Sequence, residues 1–312
     1  MSLLKLRLAM VGTLALIIGL STLFLAIVLS WLGVENLFLL LGLAIAFNLA
    51  QWLLAPYLID AMYGVREVEE GELPELEEMV RRIARRSGID PPKLMVSRLQ
   101  IPNAFAYGSP LTGNRVAVTR GLLSYLSRDE VEAVLGHELG HLKHGDVQLM
   151  MFVSVLPAIF YYIAYSMMIS SWYGREREAG GEVVIGLIAM LVYWLLTLFV
   201  MGLSRLREYY ADAHSALVVE DGADKLSRAL AKITYYGARM RSSLPNSGFK
   251  SLFISDPDRA VAESRDLSGY GEELVKELEE RKLTTWERLV ELFSTHPHVV
   301  KRIRALQSLK GP

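Results

Sequence analysis

The chain has six histidines, and two of them stand in His137-Glu138-Leu139-Gly140-His141. Residues four apart share one face of a helix, so His137 and His141 can close on one metal ion while Glu138 opens onto the same space. Zinc hydrolases use this spacing to set two imidazole ligands beside a carboxylate base. A catalytic zinc needs one further protein ligand and an open position. His144 continues the stripe, but along a helix axis it lies about 10 Å from His137 at ~1.5 Å per residue. Ligand atoms on one zinc sit within ~3.5 Å of each other, so an unbroken helix cannot bring all three together. His144 is therefore expected at the surface. The metzincin arrangement is absent, because positions 144 and 147 hold His144 and Val147 rather than glycine and histidine. Glu208 and Asp212 form another pair four apart, in Arg207-Glu208-Tyr209-Tyr210-Ala211-Asp212. One carboxylate on the metal and a second holding the spare N–H of a ligand histidine would suit that spacing. A solvated acidic pair would have the same spacing.

The elements that must position these residues alternate between apolar and polar. Hydrophobic residues make up 52% of the 312, the mean hydropathy is +0.29, and the formal net charge is −1. That charge gives no reason to expect nucleic acid as a partner. The absence of cysteine excludes disulfides, thiolate metal sites and a thiol nucleophile. The apolar excess is concentrated in four uncharged runs: Leu8 to Val34, Asn36 to Ile59, Val147 to Gly174 and Val183 to Ser204, the last interrupted by no charge. Each exceeds the ~20 residues a helix needs to cross a bilayer. Trp31, Trp52, Tyr57, Tyr63, Trp172 and Tyr173 mark their ends, as interfacial aromatics do. The first run is too long for a signal peptide and lacks a small-residue cleavage site, so it reads as a retained anchor. Lys5 and Arg7 precede the first run, and Arg205 and Arg207 follow the fourth. Four spans with both termini cytoplasmic satisfy that bias. Arg175 and Arg177 oppose it, accompanied by Glu176, Glu178 and Glu182.

The chain thus divides into an N-terminal transmembrane hairpin, 1–59, a first polar segment, 60–146, a second hairpin, 147–204, and a second polar segment, 205–312. Both polar segments fall on one side. In the first, Leu76, Met79, Val80 and Ile83 recur at helical spacing among solvated charges, and Gly88 with Asp90-Pro91-Pro92 stops that helix. Lys93–Val96, Asn103–Tyr107 and Arg115–Thr119 read as short strands, with Gly113-Asn114 as a hairpin turn. Ser127 and Glu130 form a capping box that starts the helix bearing His137 and His141. His141 lies six residues before the third run and Glu208 four after the fourth, which places both within roughly 10 Å of the same membrane face.

With these features assembled, the chain resembles the HtpX-type membrane zinc metalloproteases, relatives of the CAAX prenyl proteases. The resemblance runs through Asn103-Ala104-Phe105-Ala106, Val116-Ala117-Val118-Thr119 with Gly121-Leu122-Leu123, the HELGH helix, Glu208 to Asp212, and Ser294-Thr295-His296-Pro297 ahead of Arg302. It implies a multi-pass α-helical membrane protein with four transmembrane helices and a mainly α, zincin-like (gluzincin) catalytic domain carrying a small β-sheet. It also implies one Zn²⁺ per chain on His137, His141 and Glu208, Glu138 as general base and acid, and Asp212 behind the ligands. Asn103, Ala104, Phe105 and Ala106 resemble the edge strand on which such enzymes lay an extended peptide. His296 is the candidate for stabilising the oxyanion or approaching the metal, with a packing role as the alternative. The family's usual His-Pro-Pro is His296-Pro297-His298 here, which leaves the choice of late histidine open. Asp146 matches a family position without an evident role, and His214 reads as structural.

The expected function is zinc-dependent cleavage of unfolded or membrane protein substrates at the cytoplasmic face of the cell membrane, in quality control. The lipid bilayer is the other expected partner. An intramembrane protease is disfavoured by Arg128, Asp129, Glu130, Glu132 and Lys143 around the motif. A non-catalytic zinc-binding scaffold or transporter would need no base at Glu138, and the apolar runs contain no acidic or histidine residue for transport.

Overall fold

The structure, a computed structural model, describes residues 37–146, 148–150, part of 153–168, and 179–240, 253–254, 257–264 and 272–310. The first expected span, Leu8 to Val34, and much of the third lie outside the described residues. Helix α1 is Leu37–Tyr63, and strand β1, Val65–Glu67, follows it. Helix α2, Pro74–Ser87, leads to β2, Lys93–Ser97. Strands β3, Ala104–Ser109, and β4, Gly113–Thr119, form a hairpin. Helices α3, Arg120–Tyr125, and α4, Arg128–Lys143, complete the first polar segment. The second begins inside α5, Ala179–Val218, and continues with α6, Gly222–Arg239, and α7, Pro257–Glu263. The chain ends in α8, Glu272–Glu280, α9, Thr285–Glu291, and α10, Val299–Gln307.

The sheet has the order β1-β2-β4-β3, with β2 and β4 parallel and the other pairs antiparallel. Alternation along each strand sends Leu94, Ala104, Val116 and Val118 into a core shared with α2, α4, α6 and α10. Met95, Phe105, Tyr107 and Ala117 point the other way, where Ile59 and Tyr63 of α1 and Phe253 cover them. Central strand β4 is buried on both faces from Val116 to Thr119, which is why its Val116-Ala117-Val118 stretch is apolar without alternation. Strand β3 is an outer strand. Asp60 ties α1 to the sheet, accepting from the Tyr107 hydroxyl at 2.6 Å and pairing with Arg115.

The hairpin turn is one correction to the sequence expectation. Gly113 and Asn114 open β4, with Gly113 facing Ser109, and the chain reverses through Pro110-Leu111-Thr112. Gly113 has φ +72°, and the turn closes by Thr112 N–H donating to the Ser109 carbonyl at 3.1 Å. A glycine followed by asparagine signals a tight turn, but the left-handed glycine here ends a longer one.

Helix α2 buries Leu76, Met79, Val80 and Ile83 and stops at Gly88, whose left-handed φ of +66° lets its N–H reach back to the last carbonyls. Helix α4 begins at the capping box: the Ser127 hydroxyl accepts from Glu130 N–H, and Glu130 accepts from Ser127 N–H at 2.7 Å. Helix α5 has 40 residues without a break, so it is about 60 Å long. Within it Val183–Val218 is, among the described residues, the one helix long and apolar enough to cross a membrane. The described residues of the third apolar run are helical and pack on it, with Val153 and Phe160 against Leu196 and Leu203. Beyond Ser204 the same helix enters the protein and lies against α4. That approach is close: a Cβ on Gly136 would stand 2.9 Å from Ser215 Oγ, and one on Gly140 3.2 Å from His214 Cβ. Ser215 Oγ donates to the Ala133 carbonyl at 2.6 Å across the contact.

Candidate metal centre

Helices α4 and α5 bring the two halves of the site together. His137 and His141, one turn apart on α4, place their Nε2 atoms 3.1 Å apart. Glu208 of α5 sets Oε2 3.7 Å from His137 Nε2 and Oε1 3.6 Å from His141 Nε2. These three residues offer ligand atoms that all lie within 4.8 Å of one another. Two glycines on α4 let α5 come near enough for Glu208 to reach both rings.

The chemistry of the donor set fits a cation. His137 Nδ1 lies 2.9 Å from Asp212 Oδ1, and His141 Nδ1 lies 2.6 Å from Asp146 Oδ2. An ionised carboxylate only accepts, so each Nδ1 carries a ring proton, and in the neutral ring each Nε2 then presents a lone pair. Two lone pairs and a carboxylate then face one another in a buried space, an arrangement a positive ion relieves. Burial pushes the His141 imidazole down to about 4, which keeps it neutral and able to ligate. Burial would raise the Glu208 carboxyl, but His296 and Arg302 outweigh it and hold that carboxyl well below its ordinary value.

Glu138 points to the same space. Its Oε2 accepts from the Ala106 N–H of β3 at 2.8 Å, which fixes the carboxylate beside the outer strand. Burial pushes its carboxyl up to about 7, against the pull of His137. A carboxyl poised there can take a proton and give it back near neutral pH. The Ala106 bond also reveals the strand's register: Thr119 N–H bonds the Asn103 carbonyl, so alternate residues face β4 and Ala106 faces the cleft.

The surrounding cavity is walled by Trp52, Pro56 and Ile59 of α1, Phe105 and Ala106 of β3, and Ile254, Thr295 and His296. His296 is buried with Nδ1 3.4 Å from Glu208 Oε2, whereas His298 caps α10 by accepting from Val300 N–H at 3.2 Å. The first of the two late histidines is thus the one at the site. Of the expected substrate strand, Ala106 and Phe105 border the cavity. Asn103 and Ala104 are buried, and the Asn103 side chain instead accepts from Ile254 N–H at 2.9 Å. His144 differs from expectation. It is half-buried, with its ring edge-on to Tyr210 at 4.1 Å, because α5 covers that flank of α4. His214 is structural, its Nε2 2.9 Å from Ser87 Oγ.

Two functional positions carry roles the sequence did not disclose. Asp146 follows the end of α4, where Gly145 at φ +65° turns the chain back so that its carboxylate meets both His141 and Arg207 Nε at 2.9 Å. Arg302 of α10 is buried and grips Asp212 with two bonds, at 2.9 and 2.6 Å. Its Nη1 also lies 3.1 Å from Glu208 Oε2 and donates to the Ile254 carbonyl at 2.7 Å. Burial alone would lower its pKa; the Asp212 and Glu208 carboxylates raise it instead. A carboxylate just past an H-E-x-x-H helix and an arginine behind the late histidine are the signals that could have found them.

Residues 71–310 match the family described as Peptidase family M48. The chain is 40% identical over 314 aligned positions to a protease HtpX homolog of Aeropyrum pernix, covering 97% of this chain and 95% of that one. It is 38% identical to a protease HtpX homolog of Thermoplasma acidophilum, covering 89% and 87%. In fold it is similar to the S. mikatae Ste24p crystal structure, with a TM-score of 0.52 at 20% identity over 97% of this chain and 67% of that one.

Proposed function

Because the chain belongs to peptidase family M48 and is a metalloprotease, we propose that it is a zinc-dependent endopeptidase held in the cell membrane, with its cleft at the cytoplasmic face. The observation that carries the reading is the convergence of the His137 and His141 lone pairs and the Glu208 carboxylate beside Glu138. His137, His141 and Glu208 would hold the ion, with Asp212 and Asp146 orienting the two rings. When bound, zinc supplies the Lewis acidity that makes water nucleophilic near neutral pH and polarises a carbonyl.

The chain's own residues do the rest. Glu138 Oε takes the proton from the attacking water and delivers it to the departing amine nitrogen. An extended substrate lies along β3, where the outward Ala106 carbonyl, its N–H being engaged by Glu138, and the outward backbone groups of alternate residues pair with it regardless of sequence. The apolar wall from α1 adds preference for hydrophobic side chains. His296 donates to the carbonyl oxygen as it gains charge. Backbone pairing with little sequence demand suits unfolded proteins and exposed segments of membrane proteins, and so a quality-control role. On this reading 60–146 and 205–312 assemble the catalytic unit, and 1–59 and 147–204 lie in the bilayer as two hairpins. The apolar side chains exposed on α5, Val184, Leu187, Leu191 and Trp194 among them, support that placement.

The test is purified protein in detergent with an unfolded substrate. Cleavage is expected to require zinc and to vanish in Glu138→Gln, with one zinc per chain retained by that variant. Normal turnover by Glu138→Gln would sink the mechanism.

A further inference from the structure

Helix α9 is amphipathic in the inverse sense of a helix on a water-soluble surface. Its acidic side chains turn toward the protein: Glu287 accepts from Arg281 Nη2 at 2.6 Å and from Thr284 N–H at 2.8 Å. Glu291 is buried, accepts from His298 N–H and pairs with Lys301. Outward stand Trp286, 73% exposed, and Leu289, Val290, Leu292 and Phe293, the last 59% exposed. Most other large apolar side chains with comparable exposure lie on α1 and the membrane-crossing part of α5.

The height of this patch is set by one residue. Arg205, the first charge after the apolar run of α5, donates through Nη1 to the carbonyls of Glu291, Leu292 and Ser294 at 2.9, 3.1 and 2.6 Å. The turn carrying Leu292 and Phe293 is therefore held one arginine side chain away from the point where α5 leaves the hydrocarbon. The headgroup layer is about 5–8 Å deep on each side, so a segment pinned there lies within it. Tryptophan and apolar side chains that face outward at that depth are the composition of an interfacial helix.

We propose that residues 285–293 form an apolar foot immersed in the headgroup layer of the bilayer that α5 crosses. The foot fixes the rotation of the second polar segment against the lipid surface, and exposed Arg288 extends its charge to the phosphates. The inference rests on the membrane placement proposed above, and the experiment separates the two.

The chain has no cysteine, so Trp286→Cys, Phe293→Cys, Leu191→Cys and Leu217→Cys each create a single labelling site. All four positions are exposed. Leu191 is about 21 Å below Arg205 along α5 and Leu217 about 18 Å above it, which makes them lipid and water references. Each nitroxide-labelled protein is reconstituted in phospholipid bilayers, and collision rates with oxygen and a water-soluble nickel chelate are compared. The oxygen-to-nickel ratio at 286 and 293 is expected to exceed that at 217 several-fold and to approach that at 191. Ratios at 286 and 293 equal to that at 217, with 191 still lipid-exposed, overturn the foot alone. Water exposure at 191 overturns the membrane placement of α5 and the foot with it. Labels at 286 and 293 shielded from both reagents assign the face to a protein partner or a second copy, which also overturns the proposal.

Discussion

His137 and His141 are each held from behind by a different carboxylate, and each carboxylate is held by an arginine. Asp212 orients His137 and is gripped by Arg302; Asp146 orients His141 and is paired with Arg207. Such partners commonly contribute 10–100-fold to metal affinity. Asp146→Ala is accordingly expected to weaken zinc binding by about that factor, measured by competition with a chromogenic chelator; unaltered affinity would remove Asp146 from the site. Glu208→Ala should lower the zinc retained through purification, and full stoichiometry would exclude Glu208 as a ligand. Arg302→Met leaves two buried carboxylates without their cation, and breaking a buried pair in this way costs about 3–5 kcal/mol. Its thermal transition should fall markedly when the metal-free proteins are compared, and a transition unmoved from wild type would show that the arginine does not hold the fold.

At the scale of elements, the contact between α4 and α5 decides whether the ligands meet. Gly136 has no room for a side chain, because Ser215 and Val219 press against it. Gly136→Val forces the helices apart at a cost of about 1–3 kcal/mol. Reduced stability together with weaker zinc binding is the expected outcome, read by thermal unfolding and metal titration; a loss of stability with metal affinity intact would uncouple packing from the site. The individual elements were largely legible in the chain. The α2 stripe, the Ser127 capping box and the apolar Val116–Val118 run of β4 follow from local patterning, as does the face shared by His137 and His141. Positions that depend on distant partners were not. Strand β1 is three residues without an apolar signature, and its pairing with β2 is what defines it. Asp146 depends on a left-handed glycine that reverses the chain, and His144 is covered by a helix that starts far along the sequence. The Asn103 side chain, expected on a substrate strand, serves a contact with residue 254.

For the molecule as a whole, the site joins α4, α5, α10 and the segment at Ile254 through a buried network of carboxylates, imidazoles and the guanidiniums of Arg207 and Arg302. An ion bound there stabilises only the assembled state, by about 4 kcal/mol when present at 1,000 times its dissociation constant. Chelation should therefore lower the unfolding temperature of wild type and leave that of Glu208→Ala nearly unchanged. Equal shifts in both proteins would mean that the chelator acts elsewhere.

Helix α5 gives one further consequence. No proline interrupts Ala179–Val218 and no glycine follows Gly202 within it, so on the membrane placement proposed above the helix is one continuous rod, with lipid at one arm and the Glu208 carboxylate on the other. A change in the inclination of the lower arm, carried along the unbroken helix, would alter the gap between Glu208 and the two imidazoles. Inclination responds to the thickness of the surrounding bilayer. Thickness and zinc affinity are then conjugate quantities: the inclination that best closes the gap is the one the ion, once seated, makes harder to change.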